Sequence, residues 1–184
     1  MILLFLAEGF EEIEALTPVD VIRRAGCDLK TVAVGKGGDK LVTGSHGISV
    51  HADLTMDEAK AICAKPEMVI LPGGMPGAKN LNEDADVDIY VNEAFADGRF
   101  LGAICAAPMI LGKRGILRGK KATCFPGFED TLDGACVTGG RVEVDGKVVT
   151  ACGMGAAVEF ALALVGVMKG ESAAEDMRSA ILAK

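Results

Sequence analysis

Strand-length apolar runs recur along this chain at residues 2–7, 29–34, 68–71 and 100–104, and stretches of helical spacing lie between them. Runs with no consistently polar face suit strands buried on both sides, as in a parallel sheet covered by helices. Apolar spacing at Ile13, Leu16, Val19, Val21 and Ile22 predicts a helix over 10–25, stopped by Gly26. Further helices are predicted over 56–64, 84–97, 106–111, 154–168 and 172–182. Residues 40–51 alternate around Gly44 and Gly47 and read as a hairpin or irregular excursion, while 122–125 reads as a strand. Asp145-Gly146, centred in the alternating stretch 141–151, is a strong two-residue hairpin signal. The expected fold is α/β, a doubly wound and mostly parallel sheet with helices on both faces. No Pro/Ser-rich linker or internal repeat interrupts the chain, so residues 1–184 are expected to form a single domain.

In such sheets ligands bind beyond the carboxyl ends of the strands. Four turns are expected there, at 7–9, 72–74, 105–106 and 153–155. The run 100–104 delivers Cys105, and small residues behind it open a helix; a strand, tight turn and helix in succession project a nucleophile from the backbone. Near a helix N-terminus the thiol is expected to favour thiolate. Ala103, Ala106 and Ala107 leave room above the sulfur, which sets Cys105 apart from an ordinary buried cysteine. Glu11, Glu12 and Glu14 open the first helix. The helix dipole accounts for Glu11 and Glu12. Glu14 is expected to point at the strand ends, where a desolvated carboxyl keeps its proton, hydrogen-bonds a thiolate and serves as general acid and base. The Gly74 and Ala106 N–H groups are candidate oxyanion donors, with Gly73, Gly153 and Gly155 flanking the pocket.

Other classes are excluded by what the chain lacks. Its formal charge is −7 and its basic residues are scattered, with 113–114 and 118–121 read as solvated loop, so no nucleic-acid footprint is expected. The apolar stretch 160–167 is too short for a membrane span, and the first residues lack a signal peptide's basic region. Six cysteines without a C-x-x-C pair read as free thiols in a reducing compartment, and a cytoplasmic location is expected. His46 and His51, read as opposite faces of one strand, offer no metal-ligand spacing, so no metal is expected. A P-loop is absent, and Val158 replaces the third glycine that a dinucleotide turn at Gly153-Met154-Gly155 needs, so no cofactor is expected. Flavin binding rests on analogy of fold alone.

Glu11-Glu12-Ile13-Glu14, Pro18-Val19-Asp20-Val21, Arg23-Arg24-Ala25-Gly26, Leu71-Pro72-Gly73-Gly74, Ala103-Ile104-Cys105-Ala106 and Glu159-Phe160-Ala161-Leu162 occur in one order. Together they closely resemble the DJ-1 family of the DJ-1/ThiJ/PfpI superfamily. The resemblance implies a flavodoxin-like sandwich related to class I glutamine amidotransferases, usually a homodimer, here expected to form through the first helix and the 40–51 excursion. It matches Cys105 to the family's oxidation-sensitive cysteine, Glu14 to its protonated partner, and Gly74 and Ala106 to the backbone donors. It implies glyoxalase- or deglycase-type activity on small aldehydes and dicarbonyls, and links to oxidative-stress sensing and chaperone function. This chain departs from the best-known member at Phe125, which replaces a histidine, and at His46 and Cys152, which replace arginines framing an anion site. Ala106 stands where protease-like members have histidine, which argues against proteolysis. The leading expectation is an enzyme whose Cys105 thiolate attacks methylglyoxal while Glu14 shuttles a proton. Its rival is a non-catalytic sensor that oxidises at Cys105.

Overall fold

The computed structural model describes residues 1–183. The chain begins with β1 (Ile2–Leu6) and turns into α1 (Glu12–Arg24). After β2 (Leu29–Ala33) come the hairpin strands β3 (Leu41–Thr43) and β4 (Ser49–His51), then β5 (Leu54–Thr55) and α2 (Met56–Ile62). β6 (Met68–Leu71) leads into α3 (Gly77–Glu83) and α4 (Ala85–Ala96), and β7 (Phe100–Ile104) into α5 (Pro108–Lys113). Next are β8 (Lys121–Ala122), β9 (Cys136–Val137) and the pair β10 (Val142–Asp145) and β11 (Val148–Ala151). The helices α6 (Ala157–Lys169) and α7 (Glu171–Ala180) follow.

One seven-stranded sheet orders these strands β10-β11-β7-β6-β1-β2-β5, parallel throughout except for β10. Strand periodicity divides the apolar side chains between two cores. Leu3 and Phe5 face Leu81, Val87, Val91 and Ile110 from α3, α4 and α5. Ile2, Leu4 and Leu6 face Ala15, Val19, Phe160 and Leu164 from α1 and α6. Each fully buried side chain of this size contributes about 1.5–3 kcal/mol relative to an exposed one. Gly102 lets α6 lie close on β7, because a methyl group there would sit 2.8 Å from Leu164 Cδ2.

The expected fold is therefore the observed one, with local differences. Residues 122–125 do not extend a strand. β8 stops at Ala122, after which Thr123 N–H binds Thr150 Oγ1 and Phe125 N–H binds Cys105 O. α5 starts at Pro108, behind a turn closed by the Ala107 N–H on Ile104 O. Met154–Ala156 forms a 3-10 turn before α6. Arg114, read as solvated, is mostly buried on Asp88, Asn82 and the Ile110 carbonyl. His46 lies in the β3–β4 turn, so it and His51 are not opposite faces of one strand.

β1 lies between β2 and β6, so the chain runs outward on one side of β1 and then returns to build the other. The strand order reverses between β1 and β6, and in such sheets ligands bind at the carboxyl ends of the strands there. No helix among the described residues is long and apolar enough to cross a membrane.

Candidate active site

Cys105 sits one residue beyond β7 with φ of +65°, a left-handed conformation that costs an L-residue about 1–3 kcal/mol. Two bonds hold it there, its own N–H on Ala151 O at 2.9 Å and its carbonyl accepting Phe125 N–H at 2.8 Å. The strained turn presents the half-buried thiol beyond the carboxyl end of β7, with the N–H groups of Gly74 and Ala106 approaching the sulfur.

Glu14 comes from α1. Its helix begins at the N-cap Glu11, whose carboxylate accepts the Glu14 N–H at 2.7 Å, and this capping sets the first turn. Only 1% of Glu14 is exposed. Its Oε2 accepts Gly73 N–H at 3.0 Å, whereas Oε1 is buried without a fully formed hydrogen bond. The Cys105 thiol and the Met154 N–H are the other donors that approach this carboxyl.

Two glycines make the convergence sterically possible. A methyl group on Gly73 would lie 2.5 Å from Glu14 Oε2 and 2.7 Å from Cys105 Cβ. Gly74, at φ +84°, packs on the main chain between Gly9 and Glu11, and a methyl group there would collide with it. Glu11 N–H closes this junction on Gly73 O at 3.0 Å. Gly153 stands opposite, where a methyl group would be 3.3 Å from Phe125 Cδ2 and 3.9 Å from Glu14 Oε1. The half-exposed Phe125 thus walls the site beside Glu14. Gly155 contributes differently from the expected flank, since its carbonyl accepts Arg141, which also pairs with Glu159.

Burial raises the Glu14 carboxyl to about 7, against the pull of the thiol and of the Gly73 and Met154 N–H groups. Burial and then the Glu14 charge push the Cys105 thiol up to about 12, with the Ala106 and Gly74 N–H groups pulling the other way. This corrects the expectation of a thiolate made by a helix dipole. α5 has six residues and starts three positions later, so the stabilising donors are turn amides, and a carboxylate is the nearest charge. When the pair loses one proton, the remaining proton is shared between sulfur and carboxyl. Charge on sulfur is favoured by Gly74 and Ala106, charge on carboxyl by Gly73 and Met154. Such a pair can release a nucleophile and hold the proton it gives up.

Glu12, by its position an ordinary first-turn glutamate, is buried and accepts both the His46 N–H and His46 Nδ1 at 2.8 Å. Those bonds lower its carboxyl pKa against burial and raise that of His46. Glu11, Glu12 and His46 have ligand-type atoms within 4.8 Å of one another, a grouping missed because the β3–β4 turn supplies the histidine. Gly44 was the available signal, since any side chain there would overlap the Glu12 carboxyl.

A doubly wound sheet with a strained cysteine turn and a partner carboxyl from its first helix defines a class of nucleophilic α/β proteins. Within that class the DJ-1/PfpI family model matches residues 1–166, and the chain belongs to this family. Protein DJ-1 homolog A of Arabidopsis thaliana is 34% identical over 98% of this chain, which spans only 46% of that relative's length. A Pyrococcus horikoshii protein named as a deglycase is 34% identical, over 81% of this chain and 87% of its own. Oxidized Toxoplasma gondii DJ-1 superposes with a TM-score of 0.92 at 33% identity, covering 98% of this chain and 97% of its own.

Proposed function

We propose that this protein is a cysteine-dependent enzyme of reactive-dicarbonyl defence that converts methylglyoxal to lactate. The observation that carries this reading is the buried Glu14 carboxyl, raised to about 7 beside Cys105. The Cys105 sulfur adds to the aldehyde carbon, and the new oxyanion takes up the proton that Glu14 had received from the thiol. Glu14 then removes the hydrogen from the former aldehyde carbon and returns a proton to the ketone carbon, while the proton of the hemithioacetal hydroxyl passes to the ketone oxygen. The first carbon is thereby oxidised to a thioester and the second reduced to a secondary alcohol, so electrons balance within the substrate and no cofactor is required. Water cleaves the thioester, releasing lactate and the thiol. The Gly74 and Ala106 N–H groups are the donors for the oxyanions. The deglycase name of the Pyrococcus relative supports a carbonyl substrate.

The test is lactate formation from methylglyoxal by the purified protein and by Cys105→Ser. Lactate from the wild type alone supports the reading; equal lactate from both refutes it. The same thiol and amides favour a second reading, a redox sensor in which Cys105 is oxidised to a sulfinate hydrogen-bonded by Glu14. Selective two-oxygen addition at Cys105 under mild peroxide supports it, and uniform oxidation of all six free cysteines opposes it.

Six free thiols suit a reducing compartment such as the cytoplasm. A second copy of the chain is proposed to cover the exposed Ile13, Leu16 and Ile48 on α1 and the β3–β4 turn. Gel filtration of wild type and Leu16→Asp reads this directly, with a dimer converted to monomer as the expected result.

A further inference from the structure

The segments beside Cys105 and Glu14 carry two exposed apolar side chains, Phe125 and Met154. Phe125 is 48% exposed and Met154 50%, although both are tied to the reacting groups through their main chains. Phe125 N–H binds the Cys105 carbonyl, and Met154 N–H approaches the Glu14 carboxyl. The Phe125 ring edge lies over Gly153, the residue next to Glu14 Oε1. A ligand bonded to the sulfur and reaching toward Glu14 would therefore meet the Phe125 ring edge. The cationic groups on neighbouring elements are already engaged, Arg141 with Glu159 and His46 with Glu12. The α1 start instead brings the buried carboxyls of Glu14 and its N-cap Glu11 to the thiol side.

We propose that Phe125 selects neutral carbonyl substrates bearing an aryl or bulky alkyl group, and that substrates carrying a carboxylate are rejected. This rests on the dicarbonyl reading for turnover, but the selectivity belongs to the rim and applies to any electrophile that reaches Cys105. An aromatic pair contributes about 0.5–1.5 kcal/mol beyond area burial, so a roughly tenfold preference for phenyl over methyl is expected.

The experiment compares kcat/KM for phenylglyoxal, methylglyoxal and 4-carboxyphenylglyoxal in wild type and Phe125→Ala. Expected are phenylglyoxal ahead of methylglyoxal by roughly tenfold, 4-carboxyphenylglyoxal well below phenylglyoxal, and a phenyl-to-methyl ratio that collapses toward one in the variant. A ratio near one in wild type, or one unchanged in Phe125→Ala, overturns the proposal while leaving dicarbonyl turnover intact. If none of the three is consumed, the turnover reading fails, and the rim is then judged by alkylation of Cys105. N-benzyl iodoacetamide should outpace iodoacetamide, and iodoacetate should be slowest, with mass spectrometry reading modification at that site. Equal rates for the three reagents refute the rim selectivity independently of catalysis.

Discussion

Replacing Glu14 by Gln removes a titration while keeping a side chain of nearly the same shape. In the folded chain the carboxyl stays protonated up to about 7, whereas an unperturbed glutamate ionises near 4.5. Between those values the native state holds a proton that the unfolded chain has released, so stability falls as pH rises. The contribution is fully present below 4.5 and lost by the time pH passes 7. A shift of about 2.5 units corresponds to roughly 3 kcal/mol, a large part of the stability of an ordinary domain. Urea unfolding of wild type and Glu14→Gln at intervals from pH 4.5 to 8 isolates this effect, because other groups titrate alike in both. The variant should gain on the wild type by roughly 3 kcal/mol over that range, a midpoint change of about 1.5 M at a typical slope. Repeating the pair in a Cys105→Ser background removes the coupled thiol and should leave the direction unchanged. A wild-type-minus-variant difference that stays flat with pH would refute the argument that burial keeps this carboxyl protonated.

Turnover of methylglyoxal by Glu14→Gln should fall about 100-fold or more, the usual loss when a positioned general acid and base is removed, as followed by lactate release. Gly73→Ala should lower both activity and the urea midpoint, because its methyl group would overlap Glu14 Oε2 and Cys105 Cβ; unchanged activity would contradict that crowding. Thr55→Ala breaks the capping box in which Thr55 Oγ1 accepts the Glu58 N–H and Glu58 Oε2 accepts the Thr55 N–H, and should destabilise by about 1 kcal/mol in thermal unfolding without changing lactate yield. Gly102→Val should destabilise by about 1–3 kcal/mol by wedging α6 away from β7, visible as a lowered melting temperature.

Much of this fold could be read from periodicity because its interior strands are apolar on both faces. β1, β2, β6 and β7 all fall within the predicted runs, and Asp145-Gly146 marks the β10–β11 turn. What stayed hidden depends on tertiary contact. α3 has the sequence Gly-Ala-Lys-Asn-Leu-Asn-Glu, in which only Ala78 and Leu81 give an apolar stripe, and the core receives those two side chains. β5 and β8 are two residues long and exist through pairing with β2 and β9. At the site, Cys105 and Glu14 were legible because a strand end and a first helical turn limit where each can point. The bonds from Glu12 to the β3–β4 turn span more than thirty residues of sequence, beyond the reach of local spacing.

The packing around Gly73 and Gly74 has a consequence for how this scaffold can diversify. Its reactive centre is assembled largely from main-chain amides and from backbones pressed against one another, with no spare volume for a new side chain. Phe125 and Met154, by contrast, project into open space from segments whose main chains already do the positioning. Inherited variation and laboratory libraries alike should therefore leave the reacting atoms in place while exchanging the rim, so that one invariant chemical core can be fitted with different collars.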